Sequence, residues 1–229
     1  MNIQGFNKLT LLDYPGCVAC TVFTGGCDLR CPFCHNSQLV LAPSFAPIPE
    51  EDVFAVLRKR RGTLDGVAVT GGEPLLQPDL ADFLGRVREL GFRVKLDTNG
   101  THPDRLASLI ERGLVDMVAM DIKNSPERYA ATVGIENFDV SSVRASAQLL
   151  LGGSLPYEFR TTTVAEFHDE DSFRGIGEFI RGAEKYYIQN FVDSGSLLTD
   201  GLHARTPEEL RAYAEIVRPY VRFVDVRGI

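Results

Sequence analysis

The chain reads as an α/β protein, a partial, open (β/α)6-type TIM barrel of parallel strands. Three observations predict it. Short runs rich in Val, Ile, Phe and Thr alternate with amphipathic stretches, and such alternation implies parallel βαβ units with right-handed crossovers. Six or seven units can be counted, short of the eight that close a full barrel. The polar motifs follow strands, and functional residues of such folds gather at the C-terminal ends of strands. With 229 residues, 44% of them hydrophobic, the length suits one domain over residues 1–229. No linker, repeat or low-complexity tract divides it.

Taken in order, Met1 to Leu12 is a short, partly apolar lead-in. Asp13-Tyr14-Pro15-Gly16 is a turn, with proline pre-setting φ and glycine permitting unusual dihedrals. Cys17 to Thr24 is a strand, and Gly25-Gly26 ends it and opens a cysteine loop. Leu41 to Pro49 is proline-rich and reads as a surface loop. Glu50 to Arg61 sets Val53, Phe54 and Leu57 at helical spacing. Gly66 to Thr70 is a strand, and Pro78 to Leu90 a helix with Leu80, Phe83, Leu84 and Val87 on one side. Phe92 to Leu96 is a strand, Pro103 to Arg112 a helix, and Asp116 to Ile122 a strand. Ser125-Pro126 is an N-cap and N1 pair for a short helix. Asp139 to Leu151 is a helix stopped by Gly152-Gly153. Tyr157 to Val164 is a strand, and Asp169 caps a helix to about Arg181. Tyr186 to Val192 is a strand. Thr206-Pro207-Glu208-Glu209 is a capping box that opens a helix to about Val217, and Val221 to Val226 is the last strand.

Composition excludes several classes. The formal net charge is -7 and Lys and Arg are scattered, so no basic face for nucleic acid is expected. No basic-then-apolar leader lies in Met1 to Leu12, and no run of 18 apolar residues exists. Secretion and membrane spanning are therefore not expected, and the chain reads as cytoplasmic. Five cysteines, crowded between Cys17 and Cys34, do not look like a disulfide framework. They point to metal or redox chemistry.

Cys27, Cys31 and Cys34 stand at Cys-x3-Cys-x2-Cys spacing, short enough for three thiolates around one metal ion or cluster. Iron–sulfur cubanes are normally held by four thiolates, so three would leave one iron open to a substrate or cofactor. Two other readings stay open. His35 could complete a Cys3His zinc knuckle, although it directly follows Cys34 and is poorly placed to join the same tetrahedron. The cysteines could also be core residues, and that is the better reading of Cys17 and Cys20 on their strand.

The remaining polar motifs follow successive strands. Gly71-Gly72-Glu73-Pro74 offers bare backbone and a carboxylate for an ammonium group; otherwise it is a turn before a helix. Asp97-Thr98-Asn99-Gly100 offers acceptors, or is an Asx turn. In Asp121-Ile122-Lys123 the lysine could meet a carboxylate, or pair with Asp121. Arg160 and Thr162 share one strand face by its period of two, with Arg160 set to meet an anionic ligand or to pair with Glu158 or Glu166. Each motif is weak alone. Together they describe a lining suited to a ligand with amino and carboxylate groups beside a cluster.

These motifs resemble the radical S-adenosylmethionine superfamily, through the cysteine triplet and Gly71-Gly72-Glu73-Pro74. Asp13-Tyr14-Pro15-Gly16, Cys31-Pro32-Phe33-Cys34-His35-Asn36, Asp97-Thr98-Asn99-Gly100 and Asp121-Ile122-Lys123 are similar to glycyl-radical-enzyme activases. The Asp-Tyr-Pro-Gly form most resembles the activating proteins of anaerobic (class III) ribonucleoside-triphosphate reductase. The resemblance runs from about Phe6 to Phe191.

It implies a [4Fe–4S] cluster on Cys27, Cys31 and Cys34, whose fourth iron chelates S-adenosyl-L-methionine. Gly71, Gly72 and Glu73 would hold the methionine amino group, Asp97 and Thr98 would face the cofactor, and Lys123 would meet its carboxylate. Phe33 and His35 would flank the adenine. Arg160, Thr162 and Gln189 are further candidates from later strands; Gln189 stands where some pyruvate formate-lyase activases carry a histidine. The implied reaction is reductive cleavage of S-adenosylmethionine and hydrogen abstraction from a glycine Cα of a partner, with no acid–base pair required. The implied partners are a glycyl-radical enzyme, foremost anaerobic ribonucleotide reductase, and a low-potential electron donor such as flavodoxin or ferredoxin. Competing readings are the activase of another glycyl-radical enzyme, a small-molecule radical enzyme such as a deazapurine synthase, and a zinc-stabilised binding module.

Overall fold

The computed structural model describes residues 1–41, 46–193 and 195–229. Part of the loop expected over Leu41 to Pro49 (residues 42–45) lies outside the described residues. The sheet is eight-stranded and open, with its strands in the order β1 to β8 along the chain. Contacts group the residues into two compact units. The first is Met1–Asp28, Gln38–Thr98 and Asp104–Val118; the second is Leu29–Ser37, Asn99–Pro103 and Ala119–Ile229.

The first unit holds β1 (Ile3–Thr10), β2 (Ala19–Thr24), β3 (Gly66–Gly71) and β4 (Arg93–Thr98). β2, β3 and β4 are parallel, with Val22 opposite Val69 and Val69 opposite Leu96. β2 is buried at all but one position, which is why it reads as a nearly continuous apolar run rather than an alternating one. The helices α2 (Glu50–Lys59), α3 (Leu80–Glu89) and α4 (Pro103–Glu111) occupy the expected stretches, each bounded within a few residues of expectation. Val53, Phe54 and Leu57 of α2 and Phe83, Leu84 and Val87 of α3 are buried. The rings of Phe54 and Phe83 pack 5.1 Å apart. Burial of side chains of this size is worth about 1.5–3 kcal/mol each.

Met1 to Leu12 is not a lead-in, because β1 pairs antiparallel with β2, with Phe6 opposite Val22. Only Ile3 and Thr10, its end residues, are buried. An edge strand with a slipping register and polar interior positions is held by backbone pairing, and carries no period-two signature.

β5 (Met117–Asp121) starts in the first unit, where the Asp116 amide donates to Val94 at 2.8 Å. It ends in the second, where the Ile122 amide donates to Arg160 at 2.8 Å. The second unit continues with β6 (Tyr157–Thr163), β7 (Tyr186–Asn190) and β8 (Val224–Arg227), all parallel, with Tyr186 opposite both Phe159 and Val224. Its helices are α5 (Tyr129–Val133), α6 (Ser141–Gly152), α7 (Glu170–Phe179) and α8 (Pro207–Val217). The capping box at Thr206 and Glu209 forms as expected, and Asp169 caps α7 in a second box with Ser172. Ser125 does precede a 3-10 turn, Pro126–Arg128, but its side chain makes no cap bond. Its own amide instead donates to Asn124 Oδ1 at 2.7 Å. A short α1 (Ser37–Leu41), unsigned by any cap motif, follows the cysteine loop.

Candidate cluster and cofactor site

In the first unit, β2 ends at Thr24 and delivers Gly25, Gly26 and Cys27. The Gly71-Gly72 turn at the end of β3 packs directly on that segment. Gly72 donates to the Thr24 carbonyl at 2.8 Å and the Glu73 amide to the Gly26 carbonyl at 2.8 Å. A Cβ on Gly72 would stand 1.9 Å from the Gly26 oxygen, and one on Gly71 (φ +116) 2.3 Å from the Thr24 nitrogen. Both glycines are therefore required by close approach of two backbones, which goes beyond the ordinary turn that the sequence also allowed.

Glu73 is fully buried. Its Oε1 accepts from the Leu75 amide at 3.0 Å, capping a 3-10 turn, and from Thr98 Oγ1 at 2.9 Å. So Glu73 and Thr98, candidates from different strands, are brought together. Asp97 pairs with Lys95, two residues before it on β4. Asp97 and Thr98 thus lie within the strand rather than after it. Lys95 is 2% exposed, and its period-two relation to Asp97 is the mark of this pair in the sequence. Cys27 is half-buried, with Sγ 3.9 Å from Asp28 Oδ1.

The other two cysteines belong to the second unit. The Cys34 amide donates to the Cys31 carbonyl at 3.0 Å, so one turn carries both. Phe33, between them, is buried with its ring 5.8 Å from Phe167 and 6.3 Å from His168. His35 is exposed, with its ring 5.7 Å from Phe191. Burial pushes the Cys31 thiol up to about 11 and raises that of Cys34. Both are therefore protonated at neutral pH until a metal displaces the proton. Cys20 is buried on β2; Cys17, which the sequence placed at the start of that strand, lies in the bend before it, buried with Tyr14 and Ala19.

Asp121 is the hub of the polar groups here. It takes Lys123 Nζ at 3.0 Å and Arg160 Nε at 3.0 Å. Burial opposes its charge, but Lys123 and Arg160 together hold its carboxyl down to about 2. Arg160 therefore pairs with neither residue the sequence offered. Glu158 binds Arg227 at 2.9 Å and Glu166 binds His203 at 2.7 Å. Thr162 follows on the same strand face, in register with Gln189 on β7. Asn99 makes the Asx turn, accepting from the Thr101 amide at 3.0 Å.

The donor chemistry fits an iron–sulfur cluster. Soft thiolates select such clusters, and Cys31 and Cys34 lie outside any disulfide. Among the described residues, no three His, Cys, Asp or Glu side chains are gathered tightly enough to chelate a single ion. A cubane presents its irons at separate corners, so its thiolates need not converge on one point. In the first unit the Gly71-Gly72 turn offers backbone without side chains, and in the second Lys123 holds an ammonium beside Asp121.

The sequence profile of the Radical SAM superfamily matches residues 21–145, a span that includes the triplet and the motifs at the ends of β3, β4 and β5. The chain belongs to the radical S-adenosylmethionine superfamily, within the family of glycyl-radical-enzyme activases. That placement rests on a Methanocaldococcus jannaschii protein named for the glycyl-radical enzyme activating enzymes, 30% identical over 99% of this chain and 96% of its own length. The pyruvate formate-lyase-activating enzyme of Clostridium pasteurianum is 32% identical over 53% of this chain and 52% of its own. The fold is shared with SuiB of Streptococcus suis, solved with S-adenosylmethionine bound. Its TM-score is 0.68 at 15% identity, covering 89% of this chain and 48% of that one. The family binds a [4Fe–4S] cluster and S-adenosylmethionine. Among the described residues no helix is long and apolar enough to cross a membrane.

Proposed function

We propose that the protein, acting as one radical S-adenosylmethionine domain, activates a glycyl-radical enzyme in the cytoplasm under anaerobic conditions. The partner is anaerobic ribonucleoside-triphosphate reductase, and a flavodoxin- or ferredoxin-type donor supplies the electron. The similarity along nearly the whole chain to a protein named for glycyl-radical enzyme activation carries this reading. The Asp13-Tyr14-Pro15-Gly16 turn supports the choice of partner through its resemblance to the reductase activators. It is formed here with Gly16 at φ +72 and the Cys17 amide on the Tyr14 carbonyl at 3.0 Å.

Cys27, Cys31 and Cys34 would hold the cluster. When bound, the cluster and S-adenosylmethionine supply the reductive cleavage that ends with a hydrogen taken from a glycine Cα of the partner. The protein's own residues bind and orient. Gly71 and Gly72 expose backbone, and Glu73, fixed by Leu75 and Thr98, receives the cofactor's ammonium. Lys123, backed by Asp121 and Arg160, meets its carboxylate. Asp97, His35, Thr162 and Gln189 line the cofactor, and Phe33 anchors the loop that carries Cys31 and Cys34. The similarity to a pyruvate formate-lyase-activating enzyme favours a second reading, in which that lyase is the partner.

The test is anaerobic. The protein is reconstituted with iron and sulfide, reduced, and mixed with S-adenosylmethionine and each candidate partner. A glycyl-radical EPR signal with the reductase, absent with the lyase, is the expected result. A signal with the lyase alone selects the second reading. 5′-Deoxyadenosine made without any protein radical overturns both in favour of a small-molecule substrate.

A further inference from the structure

Lys123 lies two residues past the end of β5, where no strand neighbour holds its backbone. Its peptide groups are held by two buried side chains instead. The Lys123 amide donates to the Tyr129 hydroxyl of α5 at 3.2 Å. Its carbonyl lies 2.8 Å from His168 Nε2, in the loop between β6 and α7. Tyr129 is fully buried and His168 is 1% exposed.

The histidine is itself fixed. The Val164 amide donates to Nδ1 at 3.1 Å. Nδ1 also lies 3.2 Å from the Val164 carbonyl, but Nε2 faces the Lys123 carbonyl, which can only accept, at the shorter 2.8 Å, so the geometry favours the proton on Nε2 and donation to Lys123. Burial lowers the imidazole pKa, which keeps this neutral tautomer in place. The ring of Phe33 of the cysteine loop lies 6.3 Å from the imidazole in a T-shaped arrangement, and that of Phe173 of α7 lies 6.1 Å away. The neighbouring Asn124 is tied as well, its amide donating to Thr132 Oγ1 at 2.8 Å and to the Phe167 carbonyl at 2.9 Å.

We propose that His168 is a positioning residue, clamping the Lys123 backbone with Tyr129 so that the ammonium is aimed at the cofactor carboxylate. The inference rests on the reading of Lys123 given above. A buried histidine that served packing alone would need no aligned donor on this particular carbonyl. His168 uses both ring nitrogens on backbone groups, and one of them belongs to the residue whose side chain carries function.

The test uses the full chain, reconstituted anaerobically, with the S-adenosylmethionine dissociation constant measured by calorimetry for His168→Leu, His168→Gln, Lys123→Met and the double variant His168→Leu/Lys123→Met. His168→Leu should weaken binding about tenfold, the scale of one buried hydrogen bond. His168→Gln, which keeps an amide donor, should restore most of it. The double variant should bind no worse than Lys123→Met alone, since the two residues act as one unit. In the protein without cluster or cofactor, amide hydrogen exchange over residues 122–124 should quicken in His168→Leu. If that variant fails to fold, Tyr129→Phe removes one hydroxyl from the other end of the clamp and should give the same pattern. Weak binding by Lys123→Met beside normal binding by His168→Leu, or additive losses in the double variant, overturns the positioning role alone. Normal binding by Lys123→Met overturns the reading of Lys123 and the clamp with it.

Discussion

Two strand ends carry candidate cofactor contacts, and they are built by opposite means. At the end of β3, backbone is held by backbone: Gly72 and Glu73 donate to Thr24 and Gly26, and no side chain fits between them. Past the end of β5, backbone is held by side chains: Tyr129 and His168 take the amide and carbonyl of Lys123. The first design leaves no tolerance at the glycines, because the contact is steric. The second tolerates substitution in the fold, because each tie is one hydrogen bond. Stability and cofactor affinity should therefore separate in the second region and fall together in the first.

Gly72→Ala should break the first region outright. Its Cβ meets the Gly26 oxygen, so about 3 kcal/mol of stability should be lost, read as a shift in the urea midpoint. A midpoint unchanged by this variant would mean that the two backbones are not in contact. Glu73→Ala comes next. It removes the acceptor of the Leu75 amide and one partner of the Thr98 hydroxyl in a buried site, at a cost of about 2 kcal/mol, measurable by the same unfolding curve. Tyr129→Phe sharpens the contrast, with about 1 kcal/mol lost on thermal unfolding but a larger relative loss of S-adenosylmethionine binding. Equal loss in both would erase the distinction between the regions.

The smallest effect concerns Asp169, which caps α7 beside His168. Its hydrogen bond from Arg128 holds the carboxyl down to about 2. A carboxylate with a depressed folded pKa stabilises above its unfolded value near ~4, and that contribution is lost as pH falls through about 2. Both side chains are roughly half exposed, so only a few tenths of a kcal/mol should separate wild type from Asp169→Asn at neutral pH. The difference should vanish at pH ~2. A difference that persisted there would remove the carboxylate as its source.

Strands and helices with a buried face were legible because burial leaves a period. The helix α3, with Leu80, Phe83, Leu84 and Val87 buried, lies within the stretch its spacing indicated. The box at Thr206 and Glu209 was equally plain, since a cap is a local hydrogen-bond pattern. β1 was not legible, because an edge strand with one antiparallel neighbour need not alternate. In the candidate site, the triplet and the motifs at the ends of β3, β4 and β5 were visible as unusual residue types. The partner of Arg160 was not. Asp121 lies 39 positions away in sequence, and only the adjacency of β5 and β6 selects it over the nearer Glu158 and Glu166. His168 was missed for a related reason: its two ring nitrogens serve backbone groups, which leave no mark in residue types.

The sheet order has a consequence for how the chain is made. Each strand from β2 onward hydrogen-bonds to the strand synthesised just before it. A sheet of that kind can be laid down during translation, every new strand adding to an edge already present, with little waiting for distant segments. The cysteine loop leaves the ribosome after β2 and ahead of β3. The segment bearing Lys123 follows β5, and its His168 tie is synthesised 45 residues later. The candidate cluster thiols are thus produced first, and the proposed clamp on the lysine is among the later parts to be completed.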